Sequence, residues 1–406
     1  MRGMFRSLRS TNYRIWAAGA LVSNIGSWMQ RTAQDWIVLV ELSDHSATAV
    51  GIVMGLQFAP QILLLPFTGY AADHLNRRKL VFCTQATMGL LALALGVLVV
   101  TDSVRLWHVY AFAFLLGCAA AFDSPARQTF ISELVDEGLL PNAVALNSTS
   151  FNAARMVGPA IAGLLIASIG SGWVFLLNAL SFVAVLASLT VLRTLPPSHG
   201  ADHKRGSLLD GFRYVLHRPD LKTALVMLFL IGTFGLNFPI FISTMSVGVF
   251  HAGAGAYGVL TSLMAAGSML GALMTAARVK PGIPVLLGGA LIFGLACAVA
   301  AAMPNYALFG IVLIVVGSAA QTVTTSTNSF VQMSTEPGMR GRVIAILLAI
   351  ALGGTPIGAP IVGWIADQFG ARWALAVGAM SGILAAGVAF IYLSVRNDAD
   401  AGTSTT

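Results

Sequence analysis

Apolar residues run along this chain in continuous blocks of about twenty, and polar residues collect in short segments between the blocks. Blocks of that length predict membrane-crossing helices, twelve of them, near residues 13–41, 48–72, 79–100, 105–123, 143–169, 173–193, 222–248, 256–278, 283–303, 306–332, 343–368 and 373–395. Unbroken runs exclude a porin-like barrel, whose strands alternate lipid-facing and lumen-facing residues. The longest polar interruption, 194–221, divides the chain into two expected six-helix bundles, 1–193 and 222–406 with a short tail. Within it Leu208, Leu209, Phe212, Val215 and Leu216 are spaced against Asp210, Arg213 and Arg218 as in an amphipathic helix lying at the inner membrane surface, the alternative being a plain tether. The expected fold class is therefore an all-α membrane protein.

Composition sharpens this picture. Hydrophobic residues make up 57% of the 406 and charged residues 10%, against roughly 25% charged in soluble domains. The mean hydropathy of +0.81 is spread along the chain, which excludes both a soluble protein and a soluble domain on one anchor. Of the 23 Lys and Arg residues, 19 fall on the amino-terminal side of the expected spans, two (Arg105 and Arg372) on the other side, and two (Arg31 and Arg155) within spans. The positive-inside rule then places both termini of a multi-pass membrane protein in the cytoplasm. It also accounts for the net charge of +7 without a nucleic-acid partner. The basic start, Arg2 to Arg14, is followed by no short apolar run with a cleavage site, so the first span is retained.

Chemistry that needs a cofactor has no footing in the sequence. Cys83, Cys118 and Cys297 lie far apart in apolar runs with no metal or dithiol spacing. No phosphate-binding loop, H-E-x-x-H or G-x-S-x-G pattern occurs. Neither an enzyme nor an ATP-driven pump is expected, and no cofactor or metal.

Shifted by 200 residues, 128–173 aligns on 328–373 without a gap. It matches Phe130 to Phe330, Gly138 to Gly338, Ala145 to Ala345, Gly158 to Gly358, Ile161 to Ile361, Gly163 to Gly363, Gly170 to Gly370 and Trp173 to Trp373. Such a parallel repeat predicts two pseudo-symmetric bundles enclosing a central cavity that opens to either face as the halves rock.

Three groups of residues carry the functional expectation. At the end of the second span, Gly69, Asp73, Arg77 and Arg78 stand in Gly69-Tyr70-Ala71-Ala72-Asp73-His74-Leu75-Asn76-Arg77-Arg78. Gly69 is expected to permit close helix approach, Asp73 to accept from N–H groups at the start of the eleventh span, and Arg77 to pair with Asp123, together latching an inner gate. Gly271, Thr275, Arg278 and Lys280 form a degraded copy without the acid, which predicts a one-sided latch. In the fifth span, Arg155 precedes Gly158, Pro159 and Gly163, where proline and glycine let a helix bend and pack closely. In the first span Asn24, Ser27, Arg31, Gln34 and Asp35 share a face; Asp35 and Arg31 are the proton-coupling candidates, the alternative being a static pair. Gln321, Thr325, Asn328 and Gln332 form a second polar stripe, and Asn237 beside Pro239 is a further cavity candidate, each open to a simple helix-to-helix bonding role.

The Gly69 to Arg78 segment resembles the G-x-x-x-D-x-x-G-R-[RK] signature of the major facilitator superfamily, with Asn76 in place of a glycine. The fifth-span segment is similar to the G-P-x-x-G-G motif of its drug-exporting antiporters, with Ala162 in place of a glycine. Asn12-Tyr13-Arg14, Asp123-Ser124-Pro125-Ala126-Arg127 and Arg340-Gly341-Arg342 resemble the branch of bacterial siderophore (enterobactin-type) and macrolide exporters. The arginine usual in the fourth span of proton-coupled members has no counterpart between His108 and Phe122. The resemblance implies a monomeric secondary transporter that exports an amphipathic small molecule, a drug, macrolide or siderophore-like compound, in exchange for protons. Proton-coupled uptake of a metabolite, lipid translocation, or a non-transporting membrane sensor are the alternatives.

Overall fold

The computed structural model describes residues 5–192, 208–276 and 281–403, apart from the side chains of Pro66, Ala72, Asp73, Leu208 and 397–403. Among these residues every regular element is a helix. In chain order they are α1 (Thr11–Trp36), α2 (Ala47–Leu63), α3 (Leu65–His74), α4 (Arg77–Val100), α5 (Leu106–Leu134), α6 (Leu140–Ile169), α7 (Ser171–Val191), α8 (Leu208–Leu216), α9 (Pro219–Leu230), α10 (Phe238–Thr244), α11 (Ala254–Ala276), α12 (Ile283–Ala302), α13 (Tyr306–Ser334), α14 (Arg340–Phe369) and α15 (Ala371–Thr403). Most boundaries fall within a few residues of the hydropathy reading. The fourth and last spans are the exceptions: α15 runs on to Thr403, and α5 runs on to Leu134, well past the expected end at 123, with Ala126, Phe130, Ile131 and Leu134 buried along the extension.

Among the described residues, ten helical stretches are long and apolar enough to cross a membrane. The two remaining expected spans fall short for different reasons. α1 carries Asn24, Gln30, Arg31, Gln34 and Asp35, which lower its hydropathy. The second expected span is interrupted at Leu64, before Pro66, so that α2 and α3 are separate helices. The seventh, 219–249, is long and apolar enough as a whole, but its helix is interrupted at Leu236 and Asn237, just ahead of Pro239, and has π-helical turns at Ile231–Gly235 and Met245–Val249.

Side-chain caps begin α1, α4 and α13. Ser10 accepts the Tyr13 N–H at α1, Asn76 accepts the Lys79 N–H at 3.0 Å at α4, and Asn305 accepts the Leu308 N–H at 3.0 Å at α13. Asn76, the departure from the signature, is thus the cap of α4. The repeat reappears in the backbone. α5 and α13 each have 29 residues and α6 and α14 each have 30, in both cases beginning 200 residues apart. The junctions after α6 and α14 are Gly170 and Gly370, at φ +92° and +99°, a region where a side chain would be strained.

By contacts the chain divides into two units, one of Met1–His45, Leu56–Asp202 and Ala252–Ser262, the other of Ser46–Gly55, His203–His251 and Leu263–Thr406. In the first, Tyr13, Trp16, Phe130, Leu134, Phe182 and Leu189 form a core near the amino terminus, and the Tyr13 hydroxyl donates to the Ala143 carbonyl at 2.8 Å. In the second, α8 lies against the start of α14: Gly211 sits beside the Arg342 side chain, and Asp210 and Arg342 are 3.8 Å apart. Leu209, Phe212 and Leu216 form an exposed apolar stripe on α8. Residues 194–207, the rest of the expected connection, lie outside the described residues.

Candidate functional site

Arg31, Asp35 and Arg155, three ionisable residues that the sequence places inside spans, all lie in the first unit. On α1, Trp28, Arg31 and Asp35 lie at steps of three and four and so share a face. On α6, Phe151, Arg155 and Gly158 do the same. Gly158 is the reason the two faces can meet, since a Cβ there would lie 2.7 Å from the Trp28 Cβ. Trp28 packs edge-on against Phe151 at 5.7 Å, the Arg31 guanidinium lies 5.0 Å from its ring centroid, and that of Arg155 lies 5.8 Å from it. Asp35 accepts a hydrogen bond from the Tyr257 hydroxyl at 3.1 Å, and Trp36 stacks on the Tyr257 ring.

Tyr257 belongs to the first turns of α11, which fold into this unit through glycine contacts. A Cβ on Gly163 would meet the Ala254 carbonyl oxygen at 2.6 Å, and one on Gly258 would overlap the Pro159 carbonyl. The proline-glycine segment of α6 therefore both seats Trp28 and brings in the phenol that holds Asp35. Tyr257 escaped the sequence reading. Its only signal was the small-residue run Ala252-Gly253-Ala254-Gly255-Ala256 before it.

The second unit contains the counterpart of that glycine contact. Gly363, 200 residues after Gly163, packs on the Ala47 carbonyl, and Gly51 packs on the Ala359 carbonyl. Asp367, one turn beyond Gly363, accepts from the Ala47 N–H at 2.6 Å, the Thr48 N–H at 2.9 Å, the Thr48 hydroxyl at 2.5 Å and the Ser46 hydroxyl at 3.0 Å. A carboxylate thus caps the start of α2. Gly363, Asp367, Gly370 and Arg372 have the spacing G-x-x-x-D-x-x-G-x-R, a second copy of the signature that the sequence reading did not register. Arg372 donates to the carbonyls of Ala301 and Met303.

The gating residues are rearranged relative to expectation. Arg77 does not pair with Asp123; it forms an ion pair with Glu133 at 3.1 Å. Asp123, buried, is already engaged by the Thr84 hydroxyl at 2.7 Å, the Gln85 amide at 2.8 Å and Arg127 at 3.7 Å. At Gly69 a Cβ would meet nothing within 4 Å among the described residues, so no close approach of the kind expected is seen there. Arg78 donates to the Leu189 and Thr190 carbonyls at the end of α7. Asp73 ends up in the last turn of α3, its side chain outside the described residues. In the degraded copy, Gly271 packs on Ser318 and the Thr275 hydroxyl donates to the Gly271 carbonyl, while Arg278 and Lys280 lie outside the described residues.

The cavity candidates separate into distinct environments. Asn24 is buried and accepts from Arg127 at 3.1 Å, which ties it to the Asp123 network. Gln34 is buried on α1. Asn237 is fully buried, donating to the Thr233 carbonyl at 2.8 Å while its Oδ1 has no partner among the described residues. Gln321 donates to Thr325 at 2.9 Å and Gln332 to Asn328 at 2.7 Å, so the α13 stripe bonds along its own helix. The buried face of α13 carries Ser326 and Thr327 instead, whose hydroxyls have no partner among the described residues. A groove of about 660 Å³ in the second unit, lined by Leu270, Leu273, Met274, Ile292 and Ile314, has Ser318 and Thr322 as its polar members.

The family model described as "Transmembrane secretion effector" matches residues 3–405. The chain belongs to this family of major facilitator superfamily transporters. It is a multi-pass membrane transporter and not an enzyme. It is similar to the staphyloferrin A transporter of Staphylococcus aureus, with 25% identity over 85% of this chain and 87% of that protein. It is also similar to the multidrug efflux pump Tap of Mycolicibacterium fortuitum, with 26% identity over 86% and 88%, and to the enterobactin exporter EntS of Shigella flexneri, with 26% identity over 80% and 78%. Among solved structures, a bacterial homolog to the human lysosomal transporter Spinster, inward-facing and unoccupied, superposes at a TM-score of 0.74 over 94% of this chain and 96% of that one at 16% identity, a likeness of fold. The nucleoside transporter NupG does so at 0.72 over 94% and 99%, at 13% identity. The chain therefore has the superfamily fold that its Gly69 to Arg78 segment implies.

Proposed function

We propose that this protein is a secondary exporter of amphipathic small molecules in the bacterial inner membrane, working by alternating access with protons moving in the opposite direction. Its frame is read as twelve crossings in two pseudo-symmetric six-helix bundles, 1–193 and 222–406, with both termini cytoplasmic and the chain acting as a monomer. Export is favoured by relatives named for siderophore and drug efflux. The observation that carries the proton-coupled reading is the bond between Asp35 on α1 and Tyr257 on α11, inside a chain whose surroundings are apolar. An ionisable group in such a place is costly and marks a solute or proton pathway. Protonating Asp35 removes the acceptor's charge and weakens the link to α11, which ties proton occupancy to the packing of that helix.

The test is reconstitution in proteoliposomes with an imposed pH gradient and a panel of siderophores, macrolides and dyes. Gradient-dependent accumulation on the side equivalent to the cell exterior is expected, and accumulation in the opposite direction selects uptake. Asp35→Asn is expected to lower gradient-driven transport at least tenfold while solute exchange without a gradient continues. Full gradient-driven transport by that variant removes Asp35 from the coupling role.

A further inference from the structure

Helix α8 is apolar on two sides, and the protein covers one of them. Gly211 packs on the start of α14, where a Cβ on it would lie 2.9 Å from the Arg342 Cβ and 3.3 Å from the Ile346 Cδ1. Val215, one turn on, is buried on the same side. Leu209, Phe212 and Leu216, at steps of three and four, are 77%, 52% and 67% exposed. We propose that this stripe is a docking surface for the anionic face of the bilayer. Its apolar side chains enter the boundary between headgroups and acyl chains, Arg213 meets lipid phosphates, and the docked helix holds the start of α14. The inference goes beyond the export reading and depends on neither the cargo nor its direction.

Position comes first. α8 ends at Leu216 and α9 opens the apolar stretch 219–249 at Pro219, so the stripe stands at the edge of a membrane-crossing segment. An apolar stripe bordered by a cation, at that boundary, is the make-up of a helix lying in the interface. Charge comes second. Both acids of 208–222 are matched by arginines: Asp220 pairs with Arg218 at 2.8 Å, and Asp210 stands 3.8 Å from Arg342. Glu336 lies on the Tyr214 side of α8, roughly opposite Leu216 at about 100° per residue, where its N–H donates to the Tyr214 hydroxyl at 3.4 Å. Arg213, one turn after Leu209 and so beside the stripe, is exposed and makes no ion pair among the described residues.

The chain itself supplies a poor cover. Residues 193–207, outside the described residues, hold one large apolar side chain, Leu195, together with Arg193, Lys204 and Arg205, which repel Arg213. A second copy packed stripe against stripe would set Arg213 beside its like. An anionic lipid surface satisfies the apolar side chains and the cation together. On the covered side, Gly211 and Asp210 tie α8 to Arg342 in the first turn of α14, and further along that helix Gly354 and Gly358 press on Thr233. Lipid charge thereby acts on the position of α14.

The test uses the full chain carrying Cys83→Ser, Cys118→Ser and Cys297→Ala, one copy per nanodisc. A fluorescent NBD label is placed at Leu216→Cys or, as the control off the stripe, at His217→Cys. In phosphatidylcholine discs containing phosphatidylglycerol, the label at 216 is expected to be quenched by nitroxide on the lipid and shielded from aqueous iodide, and the label at 217 to show the reverse. Arg213→Gln should lower the docking equilibrium about fivefold, omission of phosphatidylglycerol at least as much, and Arg213→Lys should retain it. Hydrogen exchange at 343–346 should quicken in step. Equal iodide access to the two labels overturns the docking. So does shielding of 216 from both quenchers, which assigns the stripe to 193–207, and shielding that needs two copies per disc, which assigns it to a second copy. Lipid quenching indifferent to phosphatidylglycerol and to Arg213 overturns the anionic partner, and exchange at 343–346 indifferent to both overturns the link to α14.

Discussion

The Arg77 guanidinium turns to Glu133 because Asp123 is already saturated by a hydroxyl, an amide and a second arginine. A buried carboxylate with several donors leaves more groups unsatisfied when it is removed than one with a single partner does. Asp123→Ala is therefore expected to cost about 2–4 kcal/mol and Glu133→Ala about 1–2 kcal/mol, compared by thermal unfolding of the purified protein in detergent. A larger loss from Glu133→Ala than from Asp123→Ala contradicts this ordering. Which acid an arginine selects was not legible in the sequence. Asp123 and Glu133 both lie on α5, and the difference between them depends on Thr84 and Gln85, neighbours from α4 that only tertiary packing supplies. By contrast, Asp35, Arg31 and Arg155 could be found from the sequence, because an ionisable residue in an apolar run is conspicuous whatever it touches. Tyr257 could not, since a tyrosine near a span end is ordinary.

Helix contacts here depend on glycines that bring backbone against backbone. At Gly358 a Cβ would overlap the Thr233 carbonyl, in the π-helical turn between α9 and α10. Gly358→Ala is expected to lower stability by about 1–3 kcal/mol through overpacking, visible as a lower melting temperature, whereas Gly338→Ala, with nothing within 4 Å of the added methyl, should leave it unchanged. Equal melting temperatures for the two variants contradict the contact. The cap on α2 makes a second prediction at this scale. Asp367→Ala strips the Ala47 and Thr48 N–H groups of their acceptor and should cost about 0.5–2 kcal/mol, with Asp367→Asn retaining part of the effect. Hydrogen exchange at the first turn of α2 measures it directly, and unchanged protection in Asp367→Ala excludes the cap. The hydropathy pattern located these helices well because burial in an apolar medium requires length and continuity. It missed the break at Leu64 and the extension of α5, which depend on particular neighbours.

At the level of the whole chain, the charge asymmetry of the loops makes a topological prediction. Alkaline phosphatase fused after Thr406 should be inactive and a fluorescent protein fused there bright, as for a cytoplasmic carboxyl terminus; an active phosphatase reverses the assignment. The 200-residue repeat was visible in the sequence as a handful of glycines and aromatics, and the structure gives it a measure that identities do not. Helices of 29 and 30 residues recur at the same offset, each 30-residue helix ending on a glycine of positive φ. An α-helix turns by about 100° per residue, so deleting one residue from α6 would swing the chain beyond the deletion by that angle and carry Gly163 off its seat. Length in these rods acts as a phase setting: individual letters can change, whereas the letter count fixes where every later side chain points.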